Sequence, residues 1–105
     1  MSYTRERYDD VEPRAPGMHF LRDALDCENL GVTVLEAGEG WEGMEHDHDE
    51  QDHEEVYVLL EGEGTFTVDG ETFTIEAGDA VRVDPGSSRQ LSFAEESLMV
   101  IAGAP

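Results

Sequence analysis

The sequence predicts a small all-β protein, an antiparallel sandwich or closed barrel that forms one domain. Short segments rich in valine, threonine, leucine and phenylalanine recur about every ten residues, with glycine or aspartate turns between them. No segment shows the sustained apolar spacing of a long amphipathic helix. The chain of 105 residues is long enough for a single hydrophobic core that needs no disulfide.

The N-terminal part of the chain differs in composition from the rest. Residues 1–17 are polar, contain Pro13 and Pro16, and end at Gly17. We therefore predict a poorly ordered extension at 1–17 and a single barrel domain at 18–105. The apolar content rises from Met18, although the sequence leaves open whether this stretch is a helix or a strand.

The first predicted strands lie between residues 31 and 60. Residues 31–36 are rich in valine and leucine, and three glycines then mark a turn around Trp41. We expect Trp41 to pack at the core or its rim. Residues 55–60 are apolar on both faces, which predicts a strand that is buried on both faces.

A β-hairpin is predicted at Asp69-Gly70, between the alternating segments 65–68 and 72–75. A type I′ turn needs positive φ at both central residues, and Asp-Gly meets that need. After a turn at residues 77–79, the last strands are expected at 80–83, 91–93 and 98–102.

The charge of the chain limits its partners. The chain has 26 acidic residues, six arginines and no lysine, which gives a net charge of −20. Because nucleic acids and anionic membranes would repel such a surface, we exclude both as partners. Concentrated salt would screen the self-repulsion, so the composition indicates adaptation to a high-salt cytoplasm. The charge also favours neutral or cationic ligands, unless Arg89 reverses it locally.

The sequence also bears on location and redox chemistry. No apolar run approaches the roughly 18 residues of a membrane span, and the first residues lack the apolar stretch of a signal peptide. We therefore expect a cytoplasmic protein. Cys27 is the single cysteine, which excludes an intrachain disulfide and a zinc site made of cysteines.

A cluster of histidines predicts a metal site. Three of the four histidines, His46, His48 and His53, fall within eight residues, just ahead of the strand that carries Glu55 and Tyr57. Side chains two apart in a strand share a face, so His46 and His48 form one pair and His53 lies on the face of Glu55 and Tyr57. Imidazole and carboxylate ligands suit a divalent transition metal such as Fe, Mn, Ni, Cu or Zn. The alternative is that these histidines are solvated surface groups.

Two segments resemble the two motifs of the cupin superfamily, over about residues 31–102. In the first, Gly40 precedes His46-x-His48 by five residues, and Glu55 precedes Gly62 by six. The interval between His48 and Glu55 is six residues, where family members usually have three or four. The second segment begins at Gly78 and ends in Asp84-Pro85-Gly86-Ser87-Ser88-Arg89. The resemblance implies an antiparallel jelly-roll barrel.

Arg89 stands where the family has its fourth metal ligand, a histidine. A guanidinium offers no lone pair, so the implied ligands are His46, His48 and Glu55, with His53 as a substitute. Either this set leaves coordination positions open for substrate, or the metal has been lost. If Leu91 and Phe93 point inward, Arg89 does so as well. It would then bind an anionic substrate or form a structural ion pair, or do both.

Three functions follow from this reading. The first is a metal-dependent small-molecule enzyme of the oxygenase or isomerase type, with Tyr57 and Arg89 at the substrate. The second is a module that binds a small ligand without turnover, with or without metal, and the third is a structural barrel. The resemblance also implies a homodimer, and the two-sided apolar segment 55–60 supports this independently.

Overall fold

The computed structural model describes residues 2–46 and 53–105, and within them the chain forms eight strands and one short 3₁₀ helix. All strand pairs are antiparallel, which confirms the predicted all-β jelly-roll fold. The helix is Tyr8–Asp10, and the strands are β1 Met18–Phe20, β2 Gly31–Ala37, β3 Glu54–Glu61, β4 Glu63–Val68, β5 Glu71–Glu76, β6 Ala80–Val83, β7 Arg89–Phe93 and β8 Ser97–Ala104.

The strands form two sheets. The larger sheet has the order β1-β2-β8-β3-β6, and the smaller one has the order β5-β4-β7. Sequence neighbours such as β2 and β3 are separated by β8, as expected when strands cross between the layers of a jelly roll. Inward-facing side chains from both sheets make the core, which centres on Leu35, Leu59, Phe66 and Met99.

The β4–β5 hairpin has the predicted turn. Asp69 has φ of 49° and Gly70 has φ of 82°, so both central residues are left-handed as a type I′ turn requires. Val68 pairs with Glu71 directly across the two-residue loop. The Asp69 carboxylate also accepts a hydrogen bond of 2.8 Å from the backbone N–H of Ser88. This bond ties the hairpin to the segment that leads into β7.

Strand β3 was predicted to be buried on both faces, and this prediction is wrong within the chain, where only one face is buried. Tyr57 and Leu59 point into the core and are almost fully buried. On the opposite face Val56 and Val58 are half-buried, and the Leu60 side chain is 49% exposed. The sequence pattern of a two-sided apolar strand therefore arises here from a core face and an apolar outer face.

The N-terminal segment contacts the barrel at several points. The His19 ring nitrogen Nδ1 lies 2.7 Å from the Val11 carbonyl, and the Trp41 indole N–H donates to the Pro16 carbonyl at 2.8 Å. The stretch after Met18, left open by the sequence, begins with the edge strand β1. The predicted poor order of residues 1–17 stays a prediction. In the described residues, no helix has the length and apolar character needed to cross a membrane.

Candidate functional site

A cavity of about 710 Å³ opens between the two sheets. Its wall is mainly apolar and draws on β1, β2, β3, β7 and β8 together with the segment 41–46. Cavities of this size are typical of small-molecule sites. The lining residues are Ala15, Pro16, Met18, Phe20, Thr33, Leu35, Trp41, Glu42, Gly43, Met44, Glu45, His46, Glu55, Tyr57, Arg89, Leu91 and Ile101.

Arg89 is the largest fully buried side chain in the described residues, with 1% of its surface exposed. It alternates with Leu91 and Phe93 along β7, and all three point inward as their period-two spacing predicts. Its guanidinium donates to the Ser87 and Asp84 carbonyls of the segment between β6 and β7. The third partner is the Glu55 carboxylate, at 3.2 Å from Nη1. Of the two predicted roles, the structural ion pair is therefore present.

This ion pair joins the two sheets, because Glu55 belongs to β3 of the larger sheet and Arg89 to β7 of the smaller one. The Glu55 side chain is 17% exposed, so solvent screens the pair only weakly. The Tyr57 hydroxyl donates to the same carboxylate oxygen at 2.5 Å. We call Glu55, Tyr57 and Arg89 the polar centre of the cavity. The prediction that Glu55 and Tyr57 share a face of β3 is confirmed.

Burial raises the pKa of the Tyr57 hydroxyl far above its ordinary value, and the negative charge of Glu55 raises it further. The positive charge of the neighbouring Arg89 lowers the pKa in part. Desolvation and a nearby anion both disfavour the phenolate, so Tyr57 stays protonated at neutral pH and acts as a donor.

His46 lies at the exposed mouth of the cavity. The segment 41–46 runs along the edge of β7, where the His46 backbone exchanges hydrogen bonds of 2.9 and 2.8 Å with Arg89. This pairing fixes His46 next to the polar centre. The His46 ring nitrogen Nδ1 lies 3.1 Å from the Met44 carbonyl, so the ring donates there when Nδ1 carries the proton.

The predicted metal ligands are only partly brought together. His46 and Glu55 line the same cavity, and His53 is half-buried just before β3 without lining it. His48 lies outside the described residues. Within 2–46 and 53–105, no group of three histidine, cysteine or acidic side chains is placed to hold a metal ion.

The charges next to Glu55 bear on whether this residue can bind a metal ion. A divalent cation on Glu55 would approach the Arg89 guanidinium, which already lies 3.2 Å from that carboxylate. A cation bound to this carboxylate would be repelled by the neighbouring guanidinium, because the arginine stays charged. The ion pair with Arg89 therefore disfavours Glu55 as a metal ligand, and the predicted ligand role of Glu55 stays a prediction.

One wall of the cavity was not predicted from the sequence. Ala15 and Pro16 line it, although residues 1–17 were set apart from the barrel domain. Trp41, expected only to pack, also lines the cavity and holds Pro16 through its indole N–H. The local signal was present in the turn glycines around Trp41, but its partner lies 25 residues away in the chain.

Solved structures support the fold. A cupin protein from Bacteroides fragilis is 28% identical with a TM-score of 0.78, over 99% of this chain and 85% of that one. KdgF from a Halomonas species is 18% identical with a TM-score of 0.79, over 100% and 94%. A putative sugar phosphate isomerase from Acidithiobacillus ferrooxidans is 22% identical with a TM-score of 0.69, over 84% and 58%.

The sequence was also compared with curated protein sequences and with models of protein families. No curated protein sequence matches the chain. The family model described as the cupin domain matches residues 31–102, which is more than half of the chain and includes β2 to β7, most of β8 and the polar centre. The chain therefore belongs to the cupin family.

Proposed function

We propose that this cupin binds a small organic molecule in the cavity between its sheets, and that it does so without a metal ion on Glu55. The observation that carries the proposal is the ion pair between Arg89 and Glu55. In the motif that the sequence resembles, a histidine ligand stands at the position of Arg89. Here the position supplies a permanent positive charge that already neutralises the carboxylate.

The cavity offers the ligand two kinds of contact. Aliphatic and aromatic side chains such as Leu35, Trp41 and Ile101 form most of the wall. Burying apolar ligand surface against them contributes about 25 cal/mol per Å². Tyr57 and Glu55 add a few fixed polar atoms at the inner end, which would orient the bound molecule.

A titration with adamantanemethanol tests this proposal. The compound is compact, apolar and transparent where tryptophan absorbs, and Trp41 is the single tryptophan of the chain and lines the cavity. We expect saturable binding of one molecule per chain, seen both by calorimetry and by a change in Trp41 fluorescence.

A pair of variants locates the binding. Thr33 is buried and lines the cavity, so Thr33→Phe should fill part of it and weaken binding by roughly tenfold or more. The control Thr65→Phe makes the same change at an exposed position of β4 and should bind as the wild type does. Equal affinities of the two folded variants, or no saturable binding to the wild type, would contradict the proposal.

Metal binding through the histidines is a second candidate, in which His46, His48 and His53 hold a divalent transition metal for an enzyme of the oxygenase or isomerase type. One observation favours it. The His46 ring nitrogen Nδ1 lies within hydrogen-bonding distance of the Met44 carbonyl. Metal-binding histidines commonly donate one ring N–H to a backbone carbonyl, because this orients the other ring nitrogen.

Elemental analysis distinguishes the two candidates. The protein, purified without chelator or tag, is compared with the double variant His46→Ala/His48→Ala. The first proposal predicts little metal and the same content in both proteins. Near-stoichiometric metal in the wild type that is lost in the double variant would support the second candidate.

A further inference from the structure

Groups of its own chain occupy four N–H donors of Arg89. Its Nε donates to the Ser87 carbonyl at 3.1 Å, and its Nη2 donates to the Ser87 and Asp84 carbonyls at 2.9 and 2.5 Å. Its Nη1 donates to Glu55 at 3.2 Å. A guanidinium has five N–H donors. The side chain therefore keeps no pair of donors for a ligand carboxylate.

The charges around the cavity also disfavour an anionic ligand. Among the described lining residues, Glu42, Glu45 and Glu55 are carboxylates, and Arg89 is the one arginine. Glu42 and Glu45 lie exposed at the mouth, and Glu55 lies at the polar centre. The overall charge of −20 has the same sign. An anionic ligand would lose hydration and meet a negative field without gaining a bidentate partner.

We infer that the ligand of this cavity is a neutral or cationic, mainly apolar molecule with one hydrogen-bonding group, and not a carboxylate or a phosphate. The inference rests on the proposed function and specifies its ligand class. The sequence left open whether Arg89 reverses the negative charge around the cavity. While Glu55 neutralises it, Arg89 does not do so. The predicted role of Arg89 in binding an anionic substrate would require that ion pair to open.

Three adamantane probes separate the charge of the ligand from its shape. Adamantanemethanol is neutral, adamantanemethylammonium is cationic and adamantanecarboxylate is anionic, while the hydrocarbon cage is the same. All three are titrated into the wild-type protein at the same pH and salt concentration, with calorimetry and Trp41 fluorescence as readouts. We expect the alcohol and the ammonium to bind at least roughly tenfold more tightly than the carboxylate.

Glu55→Gln tests the cause of this preference. The amide keeps the size of the side chain and an acceptor oxygen, but it leaves the Arg89 charge unneutralised. The carboxylate probe should then gain roughly tenfold in affinity, and the ammonium probe should lose a similar factor. Glu54→Gln is the matched control, because it removes the same charge from an exposed position of the same strand outside the cavity lining.

The outcomes distinguish the inferred ligand class from the proposed binding of a small molecule. Tighter or equal binding of the carboxylate to the wild type would overturn the inference and leave small-molecule binding intact. A lack of change in a folded Glu55→Gln protein would overturn the assigned role of the ion pair. If none of the probes binds, both the proposed function and the inferred ligand class are contradicted. The wild-type series gives a decision even if Glu55→Gln does not fold.

Discussion

At the scale of single residues, the polar centre depends on compensation among buried polar groups. Arg89 has 1% of its surface exposed and stays charged, so each of its acceptors contributes to holding that charge inside the barrel. Glu55 supplies the opposite charge, and the Asp84 and Ser87 carbonyls supply backbone dipoles. Removing the guanidinium takes the positive charge away from Glu55 and the Arg89 donors away from the two carbonyls.

We predict that Arg89→Met lowers the free energy of unfolding by about 3–5 kcal/mol, because it removes one partner of a buried ion pair and leaves the Glu55 charge without this positive neighbour. Chemical denaturation measures this loss. The matched control is Arg82→Met, which removes the same charge from a side chain that is 57% exposed and pairs with Glu54 and Asp84. Its effect should be much smaller, since water screens exposed ion pairs. Similar losses in both variants would contradict the structural role of Arg89.

The inward orientation of Arg89 was predictable from sequence, but its partners were not. Period-two alternation with Leu91 and Phe93 fixes the face of β7 from which Arg89 projects. Its ion-pair partner Glu55 lies 34 residues earlier in the chain and belongs to the other sheet. Twenty-six carboxylates were available, and only the packing of the two sheets selects one of them. The predicted role of His48 stays a prediction.

At the scale of elements, tight turns determine where strands pair. Gly62 separates β3 from β4 at the point where the chain passes between the sheets, and its φ is 96°. A Cβ at this position would lie 2.1 Å from the Ser97 hydroxyl oxygen and 2.8 Å from the Glu96 carbonyl oxygen. The turn therefore needs glycine both for its backbone conformation and for space.

We predict that Gly62→Ala destabilises the protein by about 2 kcal/mol or more, through strain at positive φ together with a steric clash. Thermal and chemical denaturation measure the change. Gly70→Ala provides the comparison, because Gly70 has φ of 82° and no neighbouring atom within 4 Å of the added Cβ. That variant should lose about 1–2 kcal/mol from backbone strain alone. A smaller loss at Gly62 than at Gly70 would argue against the described packing of Ser97.

The local elements follow from sequence more readily than the cavity wall does. The β4–β5 hairpin could be predicted because Asp69-Gly70 encodes the type I′ turn within four residues. The wall at Pro16 depends on a hydrogen bond from Trp41, and no local pattern in residues 1–17 indicates that contact. Long-range contacts of this kind are decided by tertiary packing, which composition and periodicity do not specify.

At the scale of the whole molecule, the charge sets the conditions under which the chain folds. With a net charge of −20, self-repulsion opposes the compact state when screening is weak. The screening length is about 3 Å in molar salt and about 30 Å in ten-millimolar salt. We predict that the melting temperature falls steeply as salt is lowered.

Charge variants test whether repulsion is the cause of this salt dependence. Glu39, Glu71 and Glu95 are exposed, and changing all three to glutamine should reduce the salt dependence of the melting temperature. Differential scanning calorimetry across salt concentrations measures it. A wild-type melting temperature that is unchanged between molar and millimolar salt would contradict the predicted adaptation to high salt.

The outer face of the larger sheet bears on assembly. Val34, Val58 and Val100 form a row across β2, β3 and β8, in which Val34 is buried within the chain and Val58 and Val100 are half-buried; Leu60 of β3 is exposed. We expect a second copy of the chain to cover this apolar face, as the predicted homodimer requires. Light scattering should then give the mass of a dimer for the wild type and of a monomer for Val100→Glu. Thr74→Glu, on exposed β5, is the control and should remain dimeric; a monomeric wild type would refute the homodimer.

The central claim is that the cavity binds its ligand without metal, because Arg89 already neutralises Glu55. Calorimetric titration of adamantanemethanol into chelator-treated protein, before and after addition of iron, manganese, nickel, copper or zinc, tests this most directly. We predict binding of one molecule per chain with the same affinity in every case. Binding that appears only after a metal is added would contradict the claim and place a metal ion at the site.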